Sequence, residues 1–202
     1  ASHVDGPMRK IGNEAFVFPV GDAGIWARTG ISAPSNTADH FTAQYYWAPY
    51  SSLTPVAAPL VNVSQVEHWI LDRTNGTSNV SVTLYWEDGA RSGINSFTSD
   101  LHVSRWDGSI WQDHGSTSMT GSVSAGSVTS SAAVTNFSPF TFSAITNNIL
   151  PVELLYFKAG CEDNGVRLDW ATASEQNNKN FILSRSADGV VYEDFAQPEG
   201  AG

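Results

Sequence analysis

Histidine, carboxylate, serine and cysteine side chains are the groups with which this chain could do chemistry, and their spacing argues against most of it. Five histidines are present, His3, His40, His68, His102 and His114. None stands at His-x-x-x-His or His-Glu-x-x-His spacing, so no zinc site is predicted and the imidazoles read as surface or strand-edge groups. Glu67, Glu87 and Asp88 are the acids from which a glycosidase pair could be drawn. Glu87-Asp88-Gly89, however, reads as a polar strand end running into a turn. No serine lies in a Gly-x-Ser-x-Gly context. Cys161 is the single cysteine, which rules out an internal disulfide, and no histidine stands near it in sequence to activate the thiol. Asp22, Asp39, Asp72, Asp88, Asp100 and Asp107 are oxygen ligands of the kind calcium takes. They are scattered without EF-hand spacing and read first as turn formers. No catalytic residue, resident metal or cofactor is expected, a structural calcium aside.

The aromatic residues carry more information. Seven Trp and six Tyr occur in 202 residues. Trp69, Trp86 and Trp111 sit in core-like patterns. Trp26, Tyr46, Tyr50 and Trp106 do not, and are the candidate ligand-binding residues: exposed rings stack on sugar faces, and rings equally serve as core and interface anchors.

The elements that would position these side chains are strands. Charged residues make up 15% of the chain, and Ser, Thr, Asn and Gly fill the space that helix formers would take. The net charge of -10, with no basic run, disfavours nucleic acid as a partner. No apolar run reaches the roughly eighteen residues that span a membrane. The start, Ala-Ser-His-Val-Asp-Gly-Pro, is polar, as expected of an interior segment or of a chain whose signal peptide has been removed.

Strands are predicted at 14–20, 41–47, 66–72, 80–87, 101–106, 109–112 and 137–145, with two weaker ones within 116–135. In the second, Phe41, Ala43, Tyr45 and Trp47 share a face. Arg73-Thr74-Asn75-Gly76 reads as a turn. Asp107-Gly108 signals a hairpin. A two-residue loop there would set Trp106 and Trp111 on one face. A longer loop with a glycine bulge would align Trp111 with Leu101 and Val103, and completion of that apolar face favours the longer loop. The expected core is Phe16, Phe18, Trp69, Leu71, Val82, Leu84, Trp86, Leu101, Val103 and Phe142. No window is helical; 172–180 reads as a polar loop. The fold class is therefore an all-β antiparallel sandwich over 1–148. A boundary near Asn147–Pro151 leads to a partial Ig/fibronectin-III-like module over 149–202. Its strands are predicted at 154–158, 166–171, 181–185 and 190–195.

The second segment carries a resemblance. Leu150-Pro-Val-Glu-Leu-Leu-Tyr-Phe-Lys-Ala159 is followed by Asn164-Gly-Val-Arg-Leu-Asp-Trp170, then by Ala171-Thr-Ala-Ser-Glu-Gln-Asn-Asn178, Phe181 and Ser184-Arg-Ser-Ala-Asp-Gly189. This resembles the fibronectin-like module that precedes the C-terminal sorting domain in substrates of the bacterial type IX secretion system. Val4–Asn13, Ala15–Gly21, Glu67–Arg73 and Phe137–Phe142 are similar, less specifically, to the β-sandwich upstream of it. The remainder of the module and the sorting domain do not follow. The resemblance implies a secreted, cell-surface location reached through the outer membrane. It also implies a non-catalytic structural or adhesive role, with self-assembly into a fibre as one form of it. A carbohydrate-binding module attached to a secreted enzyme is the alternative. Expected partners are other copies of the chain, neighbouring surface proteins or glycans. A module of this kind needs about ninety to a hundred residues, so the apolar side chains Trp170, Phe181 and Leu183 are expected to form an assembly interface.

Overall fold

The computed structural model describes residues 2–94, 99–146, 154–162, 165–172 and 180–200. The chain is all-β, and its one described helix is a single turn, Gly89–Ser92, capped by the Asp88 side chain. It divides into two compact units, Ala1–Pro151 and Val152–Gly202. The expected boundary at 147–151 and most of the expected loop at 172–180 lie outside the described residues.

The first unit stacks two main sheets. One runs in the order Ser118–Gly121, Gly126–Thr129, Val82–Trp86, Thr29–Ile31, Phe16–Phe18. The other runs Trp111–Asp113, Leu101–Trp106, Phe140–Ala144, His68–Asn75, His40–Tyr46, Met8–Ile11, with Asn62–Val63 also paired to Phe140–Ala144. A small third sheet joins Val4–Asp5, Val20–Asp22 and Ile25–Trp26. Period-two alternation sets the inward faces: in His40–Tyr46 the odd-numbered residues are buried and the even-numbered ones half-buried. Between the main sheets lies one core, in which Trp69, Trp86, Phe142, Leu71, Leu84 and Val103 are sealed from solvent. The rings of Trp69 and Trp86 meet Phe142 edge-on at 5.3 and 5.9 Å, a favoured aromatic geometry. Of the expected core, Phe16 alone is only partly buried.

Trp86 shows why Gly126 stands opposite it. A Cβ at Gly126 would come within 2.4 Å of the indole, so the ring needs a glycine as its cross-strand neighbour. The indole Nε1 donates to the carbonyls of Ser122 and Val123, tying the 118–129 hairpin to the core.

Four local expectations are corrected. Trp47 lies past the end of its strand and is 46% exposed, where the alternation placed it on the buried face. Arg73 to Asn75 continue a strand instead of turning, because Phe41 and His40 pair with Arg73 and Asn75 across a bulge; the turn begins at Gly76, φ 91°. Trp111 stands opposite Trp106 and is not aligned with Leu101 and Val103. The loop spans 107–110, and an even number of loop residues returns the chain with both tryptophans on one face. Asp107 holds that loop shut by accepting from the Ser109 and Ile110 amides at 2.9 Å each. Finally, Val190 and Val191 lie in a loop, and the strand expected at 190–195 forms at Glu193–Ala196.

The second unit consists of two antiparallel hairpins, Leu154–Glu162 with Gly165–Thr172 and Leu183–Arg185 with Glu193–Ala196. Trp170 packs on Phe181 at 5.9 Å and faces Phe157 at 6.4 Å.

Because Trp86 is buried and doubly hydrogen-bonded, Trp86→Ala is expected to cost about 3–5 kcal/mol. Urea unfolding monitored by circular dichroism, with the slope unchanged, measures it.

Candidate functional site

The sheet built around Phe140–Ala144 has two covered faces. Its inner face meets the other sheet. Its outer face is covered by the segment from Tyr50 to Val63, which encloses a second, smaller core of Leu60, Val63 and Trp111 with Tyr50, Leu53, Val56, Trp106 and Ile145 against it. The covering segment is hydrogen-bonded to the edge strand: Trp111 N donates to Pro55 O at 3.0 Å, Ala57 N to Trp111 O at 2.8 Å, and the Trp111 indole to Ser52 O at 2.8 Å.

This arrangement gathers three of the four candidate binding aromatics. Tyr50 lies 5.6 Å from Trp111, 6.2 Å from Trp106 and 5.4 Å from His68. Tyr46 stacks flat on His68, ring centres 5.0 Å apart. Trp106 packs on the buried Trp111 at 5.6 Å. The fourth, Trp26, belongs to the small third sheet, where its ring contact is with the Arg28 guanidinium at 4.7 Å. Arg28 is in turn held against Tyr85 and ion-paired with Glu87.

Residues Tyr50 and Trp106 open onto a groove of about 1020 Å³, with Arg105 and the 107–109 turn on one side and Asn136 to Pro139 on the other. Both rims are braced. Asp107 accepts from the Gln112 side chain and from Ser109 and Ile110, and these bonds hold its carboxyl well below the usual range. Ser138, with φ 43°, bonds to Leu71 twice: its amide donates to Leu71 O, and its Oγ accepts from Leu71 N. Trp106 N donates to Pro139 O at 3.1 Å, joining the rims. Arg105 differs from these residues. Its Nη1 donates to Trp106 O at 2.9 Å, while Nε is sealed from solvent without a partner.

His68 was absent from the sequence-derived site, because a lone histidine in an alternating strand carries no signal. Its Nδ1 stands 2.8 Å from Ala48 O, and a carbonyl only accepts, so Nδ1 carries the proton. Burial lowers its pKa, favouring the neutral ring. Sequence spacing also gave no sign of the 2.8 Å His102–Asp113 contact. It resembles the orienting half of a hydrolase triad, but the His102 ring makes no hydrogen bond to a serine or cysteine side chain among the described residues.

The acids considered for hydrolysis each have a separate local partner. Glu87 pairs with Arg28, Asp88 caps the helical turn, and Glu67 is 1% exposed inside the sandwich. Tyr45 Oη donates to Glu67 Oε2 at 2.6 Å, and Oε1 has no hydrogen-bond partner. Burial raises the Glu67 pKa, opposed in part by the nearby Ser92 and Tyr45 hydroxyls and by Arg91. The remaining acids proposed for calcium have local partners or lie apart: Asp22 accepts from Trp47 N and Asp39 from Ser78 N. Among the described residues no three His, Cys, Asp or Glu side chains come together. In the second unit, Trp170, Phe181 and Leu183 line an apolar cleft of about 350 Å³ together with Phe157, Ile182 and Tyr192.

A carboxyl with a raised folded-state pKa binds its proton more tightly folded than unfolded. Its contribution is therefore complete below the ordinary value of 4.5 and is lost as pH rises from there through the folded pKa. Glu67→Gln removes that titration while keeping an acceptor for Tyr45. The expected outcome is a flatter stability profile above pH 4.5 than in the parent chain, read from denaturant midpoints at a series of pH values. No protein-family model, curated protein or solved structure matches this chain.

Proposed function

We propose that this chain is a non-catalytic adhesive module of a secreted bacterial cell-surface protein, exported by the type IX route that its sequence resembles, and that it adheres by binding glycans in the Tyr50–Trp106 groove. The observation that carries the reading is the placement of the aromatic residues. Tyr46, Tyr50 and Trp106 lie outside the main core; Tyr50 and Trp106 pack on the buried Trp111 and open onto a braced groove, and Tyr46 stacks on His68. Preorganised rings lose little conformational entropy when a ligand stacks on them. The reading also agrees with the acids: Glu67, Glu87 and Asp88 are engaged in packing, pairing and capping rather than converging on a cleft. As a glycan binder, the chain would serve equally as a carbohydrate-binding module beside a secreted enzyme.

A second reading, self-assembly, is favoured by the second unit. Ile182 and Tyr192 are exposed on the lining of the apolar cleft, and Val190 and Val191, next to Tyr192 in the chain, are exposed as well; apolar surface of this kind marks interaction sites. A contact between copies that does not close into a ring would build a fibre.

On a glycan array the full chain is expected to retain a subset of oligosaccharides, and Trp106→Ala to weaken that binding at least about tenfold, the effect of losing ~1.4 kcal/mol of contact. An array without signal counts against glycan adhesion. For the second reading, sedimentation at rising concentration should show association that Ile182→Asp abolishes. A sharp monomer at every concentration removes it.

A further inference from the structure

We infer that the groove beside Trp106 selects anionic sugars, with the Arg105 guanidinium receiving a carboxylate or sulfate borne on a ring that stacks near Trp106 and Tyr50. This deepens the glycan-binding reading and rests on it.

Arg105 lines the groove, and although the Asp107 charge acts on it through space, no described ion pair engages it. The described ion pairs join Arg28 to Glu87, His102 to Asp113 and Arg167 to Asp169, and none reaches Arg105. Asp107 is its nearest acid in sequence and also lines the groove, but its oxygens are taken. Oδ1 accepts from the Ser109 amide and hydroxyl and from the Ile110 amide, and Oδ2 from Gln112 Nε2. Arg105 itself makes one hydrogen bond, from Nη1 to a carbonyl, although a guanidinium carries five donor hydrogens in a planar fork. Nε is buried without a partner, which is uncommon for a polar atom shielded from water. Nε is out of a ligand's reach, so it is the free Nη donors of a residue that lines the groove that a planar oxyanion can meet.

The rest of the lining narrows the class of ligand. Aromatic rings favour a molecule with an apolar face, and the serine- and asparagine-bearing rims favour one with hydroxyl edges. Sugar rings combine the two. At about 1020 Å³ the groove is at the upper end of small-ligand clefts, about 300–1,000 Å³, so it accommodates an oligosaccharide rather than a single ring. The net charge of -10 sets the opposite limit. A densely charged polymer such as nucleic acid is repelled by the protein as a whole, whereas a short oligosaccharide with few anionic groups is not held off beyond about 8 Å at physiological salt.

The test is isothermal titration of the full chain with three probes of equal length: an oligogalacturonate, a sulfated oligosaccharide and a neutral gluco-oligosaccharide. The expected result is that an anionic probe binds at least about tenfold more tightly than the neutral one. The preference should diminish with added salt and disappear in Arg105→Gln. Arg105→Lys should restore it only in part, since an ammonium keeps the charge without the fork. An unchanged melting temperature shows that these variants fold. Preference for the uronate or for the sulfate identifies the source of the oxyanion, and either supports the inference. Equal binding of the neutral probe, or full preference retained in Arg105→Gln, overturns the anionic selectivity while leaving glycan adhesion standing. Binding of none of the probes overturns both.

Discussion

Every residue of Phe140–Ala144 is buried, and most of the first unit's architecture follows from the need to cover both sides of that strand. A strand with one wet face alternates apolar and polar residues. This strand alternates too, Phe140, Thr141, Phe142, Ser143, yet neither side is wet: its inner side meets Trp69 and Trp86 while its outer side lies beneath chain that runs from Tyr50 to Val63. The polar members of the strand are accommodated by hydrogen bonds. Thr141 donates to Glu67 O, and Ser143 to His102 O. The cover is supplied by pairing of Asn62–Val63 with the strand and by the bonds that join Pro55 and Ala57 to Trp111. The same bonds close the edge at Trp111–Asp113, which would otherwise present unpaired backbone groups.

The candidate site is a by-product of that cover. A segment laid across the outside of a sheet needs apolar anchors of its own. Trp111 is the buried anchor, and Tyr50 and Trp106 are the outer layer of the same small core. Their rings are therefore fixed by packing, while their outer surfaces border the groove. The groove's two rims depend on different local chemistry. One is a turn organised by a single carboxylate, Asp107. The other is a serine in the left-handed region whose hydroxyl and amide replace ladder partners of Leu71. A site built on a braced turn and a strand end is more rigid than one on a free loop.

The inner core encloses a costly polar group. Glu67 is enclosed with a tyrosine partner on one oxygen and no hydrogen-bond partner on the other, and burial, against the opposing pull of Ser92, Tyr45 and Arg91, raises its pKa. The carboxyl is shielded from solvent, and its one described hydrogen bond ties it to Tyr45 on the neighbouring strand.

Much of the fold was legible because it rests on local alternation. Phe18, Trp69, Leu71, Val82, Leu84 and Phe142 announce their buried face through period two, and the Gly- and Asn-containing turns separate one strand from the next. The all-β class and nine of the ten expected core residues therefore depended on little else. The site was legible only in its residue types. Trp26, Tyr46, Tyr50 and Trp106 looked alike in sequence, and the tertiary structure separated Trp26, which stacks with Arg28, from the other three. The register of the 106–111 hairpin, the addition of His68, the enclosure of Glu67 and the unpartnered Nε of Arg105 were likewise decided in three dimensions. The physical reason is the same in each case. Which face a residue occupies is encoded by its neighbours in sequence, but what covers that face comes from segments dozens of residues away, and hydrogen bonds between such segments leave no periodic trace.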